Sequence, residues 1–245
     1  MNKEYLEQFS DKNIKKLLLN EENILPLEHI LDLNLRQGSK IRRKKIDLGT
    51  IPLPKDLHSL LDEIKSDIDE FLGVTRIKNP KVQYGGLTLN RRFEGRYYPK
   101  PKLISLRRLK LSDLIPILAH EYTHHVQFQR GIPYHQDLTS FCEGQAHSVQ
   151  RYISLRKLIE KDNFAFLLSN LDYDNPPLRE VYFWLMKNLG KPQNSNLTRR
   201  IRYHCFIDKP TKHAFGNAFF SILEARESTG IHKEIMAGKY QLPSF

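Results

Sequence analysis

Cysteine is nearly missing from this chain: Cys142 and Cys205 are the only two in 245 residues, and no C-x-x-C pair occurs. Neither a cysteine-ligated zinc site nor a disulfide framework is indicated, although a single bridge between the two stays open. No apolar run approaches the roughly 18 residues of a membrane span. The amino-terminal M-N-K-E-Y-L-E-Q-F-S-D-K is too charged for a signal peptide, so a soluble, cytoplasmic protein is expected. Acidic residues are in deficit, 28 against 39 Lys and Arg, for a formal charge of +11. That sign fits an acidic partner such as nucleic acid, anionic lipid or an acidic protein, or a basic surface kept for solubility. Internal repeats and low-complexity tracts are absent. The 40% hydrophobic content suffices for the core of one large domain or two small ones.

What the chain does have is L-I-P-I-L-A-H-E-Y-T-H-H-V-Q-F-Q-R from Leu114 to Arg130, with His120, Glu121 and His124 in the order H-E-x-x-H. On a helix, residues four apart share a face with Cβ atoms about 6 Å apart, so the imidazoles of His120 and His124 can converge on one metal ion. Glu121 lies roughly 100° round the helix, placed to reach a water on that metal without ligating it. Ser112 and Asp113 read as the helix start, Pro116 as the end of its first turn, and Gly131 with Pro133 as its stop. Ile115, Leu118, Tyr122, Val126 and Gln129 form the stripe expected to be buried, and His125 falls off the metal face.

Around this helix the pattern varies. Residues 3 to 35 read as one or two short helices broken at Pro26, then a turn at Gln37-Gly38-Ser39 and a loop or edge with five basic residues between Lys40 and Lys45. Leu57 to Leu72 has the spacing of an amphipathic helix closed by Gly73. From Pro80 the period changes to that of two antiparallel strands, the second from about Lys102 to Leu106, with Pro99 and Pro101 on an edge or in a loop. An unpaired strand edge beside the metal helix would bind an extended peptide by adding it to the sheet. Nine Lys or Arg and one Glu lie between Lys81 and Lys110, and they border the cleft if they share one side of the sheet. A second long helix spans about Leu138 to Lys161, capped by Asp137 or Thr139 and carrying Glu143, His147 and Gln150 on one stripe. Residues 162 to 245 read as helical, with one helix opening at Pro177 and closing at Gly190, and with 191–196 as the best linker.

A catalytic zinc needs a third protein ligand and an open position for water. One large class places a third histidine six residues after the second; here that position is Arg130, and Gln127 stands where its glycine belongs. The remaining candidate is Glu143 on the following helix, which an antiparallel hairpin can bring back to the pair. The pieces H120-E-Y-T-H124 and F-C-E143-G-Q-A-H147 resemble the gluzincin group of zinc metallopeptidases over about Val82 to Leu155, and H213-A-F-G-N-A-F-F is similar to the closing segment of the peptidase MA type.

The resemblance implies an α+β, zincin-like fold: a small twisted sheet over the H-E-x-x-H helix and a mainly helical carboxy-terminal part. It implies Zn2+ on His120, His124 and Glu143, with Glu121 as general base for a metal-activated water attacking a peptide bond. Thermolysin-like relatives carry an acid four residues after the ligand Glu; this chain has His147, which is open to a hydrogen bond with a ligand, to ligation, to substrate contact or to packing. For the oxyanion, Tyr203, His204 and His213 are candidates, with His213 first. Cys205 is open to blocking the metal in a latent form. The organisation expected is 1–80 as scaffold, lid or pro-segment, 81–161 as catalytic core and 162–245 as helical subdomain. An endopeptidase acting on peptide or protein is favoured, since no G-x-M-E-N motif is present. The alternatives are a protease recruited to nucleic acid through its basic runs and a non-catalytic, zinc-stabilised binding or regulatory protein.

Overall fold

Chain order sets the layers. The computed structural model describes residues 1–43, 56–85, 94–133, 136–201 and 210–242. Helices α1 (Lys3–Glu7), α2 (Asp11–Leu18) and α3 (Ile24–Arg43) come first, followed by α4 (Leu57–Leu72). Strands β1 (Lys81–Tyr84), β2 (Gly95–Tyr98) and β3 (Leu103–Leu106) lead into α5 (Leu111–Gln129) and α6 (Thr139–Lys161). The remainder holds α7 (Ala165–Asn188), α8 (Ser195–Ile201), α9 (Lys212–Glu227) and α10 (Ile231–Met236). The architecture is mainly helical α+β, with a small mixed sheet ahead of a helical region. One buried cluster draws side chains from Leu6 to Tyr240. Among the described residues no helix is long and apolar enough to cross a membrane.

The sheet corrects the expected pairing. The strand at Lys81 is not the antiparallel partner of the strand ending at Leu106: β1 and β3 run parallel, from Lys81 beside Leu103 to Tyr84 beside Leu106. An additional strand, β2, supplies the antiparallel neighbour of β3. It is hidden in the sequence because its four residues sit between a turn signal and prolines. The chain reverses through Pro99–Lys102, where Lys102 adopts φ 50° and its N–H donates to the Pro99 carbonyl at 3.2 Å. Both prolines thus occupy the loop expected of them. With the order β1-β3-β2, β2 is an edge strand among the described residues, and it packs on α5.

Helix boundaries follow packing more than punctuation. In α4 the reading holds: Asp56 accepts from the N–H groups of His58 and Ser59, Gly73 stops the helix at φ 65°, and Leu57, Leu60, Leu61, Ile64, Ile68, Phe71 and Leu72 are buried. Pro26 does not break a helix, because it lies in the first turn of α3, where its missing N–H costs little. The turn expected at Gln37–Ser39 is helical as well, and so are Lys40 to Arg43, since Ile41 packs on Leu167 and Leu171 of α7. Lys44, Lys45, Pro52 and Pro54 lie outside the described residues. α5 starts at Leu111 after Lys110 with no side-chain cap, so Pro116 sits beyond its first turn; Gly131, at φ 72°, follows its end. The helix expected to open at Pro177 begins at Ala165 and runs through Pro176 and Pro177. Burial of Phe166, Leu171, Leu178, Val181, Tyr182 and Leu185 outweighs the two backbone hydrogen bonds those prolines forfeit.

Helix α6 is central, buried on nearly every side from Ser140 to Ser154. The N-cap position is Leu138 rather than Asp137 or Thr139, and it makes no side-chain cap bond. Asp11 of α2 acts instead, accepting from the Ser140 N–H at 2.9 Å, while its other oxygen meets the Lys212 ammonium at 2.7 Å at the start of α9. One carboxylate therefore ties the beginnings of α6 and α9. Where those helices cross, glycine is required on both. A Cβ on Gly216 would fall 1.9 Å from the Ser140 carbonyl oxygen, and one on Gly144 would fall 2.3 Å from the Gly216 carbonyl oxygen. Gly216→Ala is expected to cost about 3 kcal/mol of stability by forcing the helices apart. Gly38→Ala is expected to add about 0.5–1 kcal/mol, since it fills a helix interior where the nearest atom would be 3.5 Å away. Urea unfolding of the two variants checks the pair; equal stabilities would contradict the close crossing.

Candidate metal centre

α5 and α6 pack against each other, and the hairpin between them brings Glu143 back over the H-E-x-x-H face. The Nε2 atoms of His120 and His124 lie 3.2 Å apart. Glu143 Oε2 lies 3.2 Å from His120 Nε2, and Oε1 lies 3.6 Å from His124 Nε2. Ligands about 2.05 Å from a tetrahedral zinc stand roughly 3.3 Å from one another. Three donors at these separations therefore fit one ion without rearrangement, and His120, His124 and Glu143 form a group able to hold a metal ion. Two imidazoles and a carboxylate suit a borderline divalent cation.

Electrostatics describes what such an ion replaces. Burial alone would make the Glu143 carboxyl hard to ionise, but His124, His120 and His213 around it hold it well below the usual carboxylate range. Burial opposes protonation of His124, yet the Glu143 charge beside it wins and pushes its pKa up to about 9. His124 thus stays protonated against the ionised Glu143 carboxylate in metal-free protein at neutral pH, and cation binding must expel that proton.

His124 is also oriented from behind. Its Nδ1 lies 2.9 Å from Gln127 Oε1, and the Gln127 amide donates to the Cys142 carbonyl at 3.0 Å and to Gln145 Oε1 at 3.1 Å. Those two donations fix the amide so that its oxygen faces Nδ1, which must then carry the hydrogen and leave Nε2 for a ligand. In the sequence Gln127 stands out only as the residue where a glycine would belong. A polar residue three positions after His124 on a buried face was the signal for this partnership.

Glu121 lines the same cavity of about 320 Å³ as His120, His124, Glu143 and His213, yet it is not one of the grouped donors. The floor of β2 passes directly over it: a Cβ on Gly95 would meet Glu121 Cγ at 3.0 Å and Ile117 Cγ2 at 2.6 Å. Glycine at 95 lets the edge strand approach the carboxylate this closely. His125, the histidine off the metal face, fastens the same strand, since its Nε2 donates to the Lys78 carbonyl at 2.6 Å and its Nδ1 accepts from the Tyr97 hydroxyl at 3.0 Å. Burial keeps that imidazole neutral and pushes the Tyr97 phenol up to about 12.

Two further histidines reach the centre, His147 from α6 itself and His213 from outside the hairpin. His213, in the first turn of α9, places Nδ1 2.9 Å from Glu143 Oε2 with about half its side chain exposed. The His147 ring lies edge-on to its neighbours, its centroid 4.9 Å from that of His120 and 6.5 Å from that of His213. Burial, then the neighbouring His120, keeps it neutral. Cys142 lines the cavity, but burial and then the Glu143 charge hold its thiol protonated. Tyr203, His204 and Cys205 lie outside the described residues. Of the basic residues between Lys81 and Lys110, the described ones are exposed, and Arg96 alone among them lines the cavity.

Neither a family model, nor a curated protein, nor a solved structure matches this chain.

Two outcomes are expected of the centre. Gln127→Leu removes the partner of His124 Nδ1 and weakens zinc binding by about 10- to 100-fold, measured by competition with a chromophoric chelator; unchanged affinity would remove Gln127 from this role. Because His124 keeps its proton to about 9, apparent zinc affinity should climb about tenfold per pH unit up to that point and then level. Calorimetry in buffers of different ionisation enthalpy should register the released proton, and a flat profile from pH 7 to 9 would contradict the proton-holding pair.

Proposed function

We propose that this chain is a zinc-dependent metallopeptidase of the gluzincin type, hydrolysing peptide bonds in peptide or protein substrates. The observation that carries this reading is the separation of roles within one cavity: three donors at mutual ligand spacing, and a fourth group, Glu121, beside them but outside the donor set. A site that only stabilises structure is closed by four protein ligands and has no use for an adjacent free carboxylate.

When bound, the zinc ion supplies a Lewis acid that polarises the scissile carbonyl and acidifies the attacking water. Glu121 takes the proton from that water at its carboxylate and delivers it to the leaving nitrogen, so one group serves as base and then acid. With one ion bound, His213 is the cavity side chain available to meet the carbonyl oxygen as negative charge develops there. β2 orients the substrate: Gly95, Arg96 and Tyr97 line the cavity on the last strand of the described sheet, where an extended peptide can be laid alongside them. That mode accepts many sequences and fits an endopeptidase. Residues 1–80 act in this scheme as scaffold, since Asp11 anchors the helices that carry Glu143 and His213.

Glu121→Gln preserves shape and removes the base. It is expected to bind zinc as tightly as the parent chain while hydrolysis of an unfolded protein falls by about a hundredfold to ten-thousandfold. Undiminished hydrolysis by the variant would reject the reading; zinc binding with no hydrolysis by either protein would favour a binding or regulatory role.

A further inference from the structure

The donors around Glu143 do not end with the first three. A second group able to hold a cation consists of Glu143, His147 and His213, whose ligand atoms also lie within 4.8 Å of one another. Glu143 is common to both groups, one from α5 and α6 and the other from α6 and α9. It has two oxygens to offer: Oε1 faces His124 at 3.6 Å, while Oε2 lies 3.2 Å from His120 and 2.9 Å from His213.

His147 is the residue for which the single-ion arrangement has no use. It is 9% exposed, and its buried Nδ1 has no hydrogen-bond partner. A polar ring atom left bare in the interior costs about 1–3 kcal/mol. The side chain is nevertheless held where one ring nitrogen comes within reach of Glu143 and His213. Packing alone would be served better by an apolar residue of similar size. The nearest fixed positive charge, Arg151 one turn further along α6, does not oppose a cation here, because its guanidinium is bound to Glu224 at 3.0 Å and to Asp174 at 3.6 Å. Carboxylates bridging two ions are the usual construction of paired metal sites in hydrolases.

We propose that Glu143 is a bridging ligand and that the centre binds two divalent cations, the first on His120 and His124 and the second on His147 and His213. The donor set of the second position, two imidazoles and one carboxylate oxygen, selects the same borderline ions as the first, zinc among them. In the two-ion form His213 serves as a ligand rather than as a donor to the reacting carbonyl. The close crossing of Gly144 and Gly216 then has a purpose, because it carries the start of α9 near enough for His213 to reach a ligand of the first ion. The proposal rests on the metal-centre reading above and extends it.

The test is the zinc content of the full-length chain after equilibration at buffered free zinc, with the cobalt-loaded protein examined by electron paramagnetic resonance. Expected are two zinc ions per chain in the parent protein, one in His147→Ala and one in His213→Ala, and a spin-coupled cobalt pair that becomes an uncoupled single-ion signal in either variant. His213 is half exposed, so its variant keeps the measurement decisive if His147→Ala does not fold. One ion per chain in the parent protein would overturn the proposal and leave the single-ion centre standing. Two ions in the parent with no loss in His213→Ala would place the second elsewhere and overturn it as well. No zinc at all would remove the metal-centre reading together with the proposal.

Discussion

A carboxylate held out of water among imidazoles is the constraint on which this structure depends. Glu143 is almost completely buried, and an ionised carboxylate in that position is tolerable only with positive charge against it. His120, His124 and His213 converge on it from two other helices. In the metal-free chain a proton on His124 supplies the charge. The same electrostatic demand makes a divalent cation the natural occupant, because the donors already stand at ligand spacing and only that proton has to leave.

The surrounding fold keeps the carboxylate in place. α6 is clamped between α5, which brings the histidine pair, and α9, which brings His213. Two glycines permit the second contact and a carboxylate from α2 secures the beginnings of both α6 and α9. Deeper along α6, Arg151, Asp174 and Glu224 form a buried charged cluster, with His232 Nε2 2.8 Å from Glu224. Arg151 and the hydrogen bond from His232 hold the Glu224 carboxyl down to about 2 despite its burial. A helix this polar in its interior gains less from apolar burial than an ordinary core helix, and its polar side chains instead limit how its neighbours can dock.

The H-E-x-x-H helix, α4 and the long second helix could be read from the chain because each is governed by local spacing: residues four apart share a face, and Gly73 and Gly131 stop helices where they fall. Glu143 could be reached by excluding the alternatives at Gln127 and Arg130. What escaped was set by contacts distant in sequence. β2 is masked by the prolines that follow it, and β1 pairs with β3 as a parallel neighbour. α7 ignores its two prolines and α3 its glycine, because burial against other helices outweighs local preference. The role of Gln127 depends on the Cys142 carbonyl and Gln145 across the hairpin, and the role of Asp11 depends on a helix more than a hundred residues away. Gln127 leaves only a polar residue on a buried face as its mark in the local pattern, and Asp11 leaves none.

The central claim is that His120, His124 and Glu143 together grip a metal ion. Anomalous X-ray diffraction from zinc-loaded crystals, with data on both sides of the zinc edge, tests it most directly. The expected result is a peak in the cavity about 2.0–2.2 Å from both Nε2 atoms and a Glu143 oxygen. Zinc bound only at other side chains, with no peak between these three residues, would contradict it.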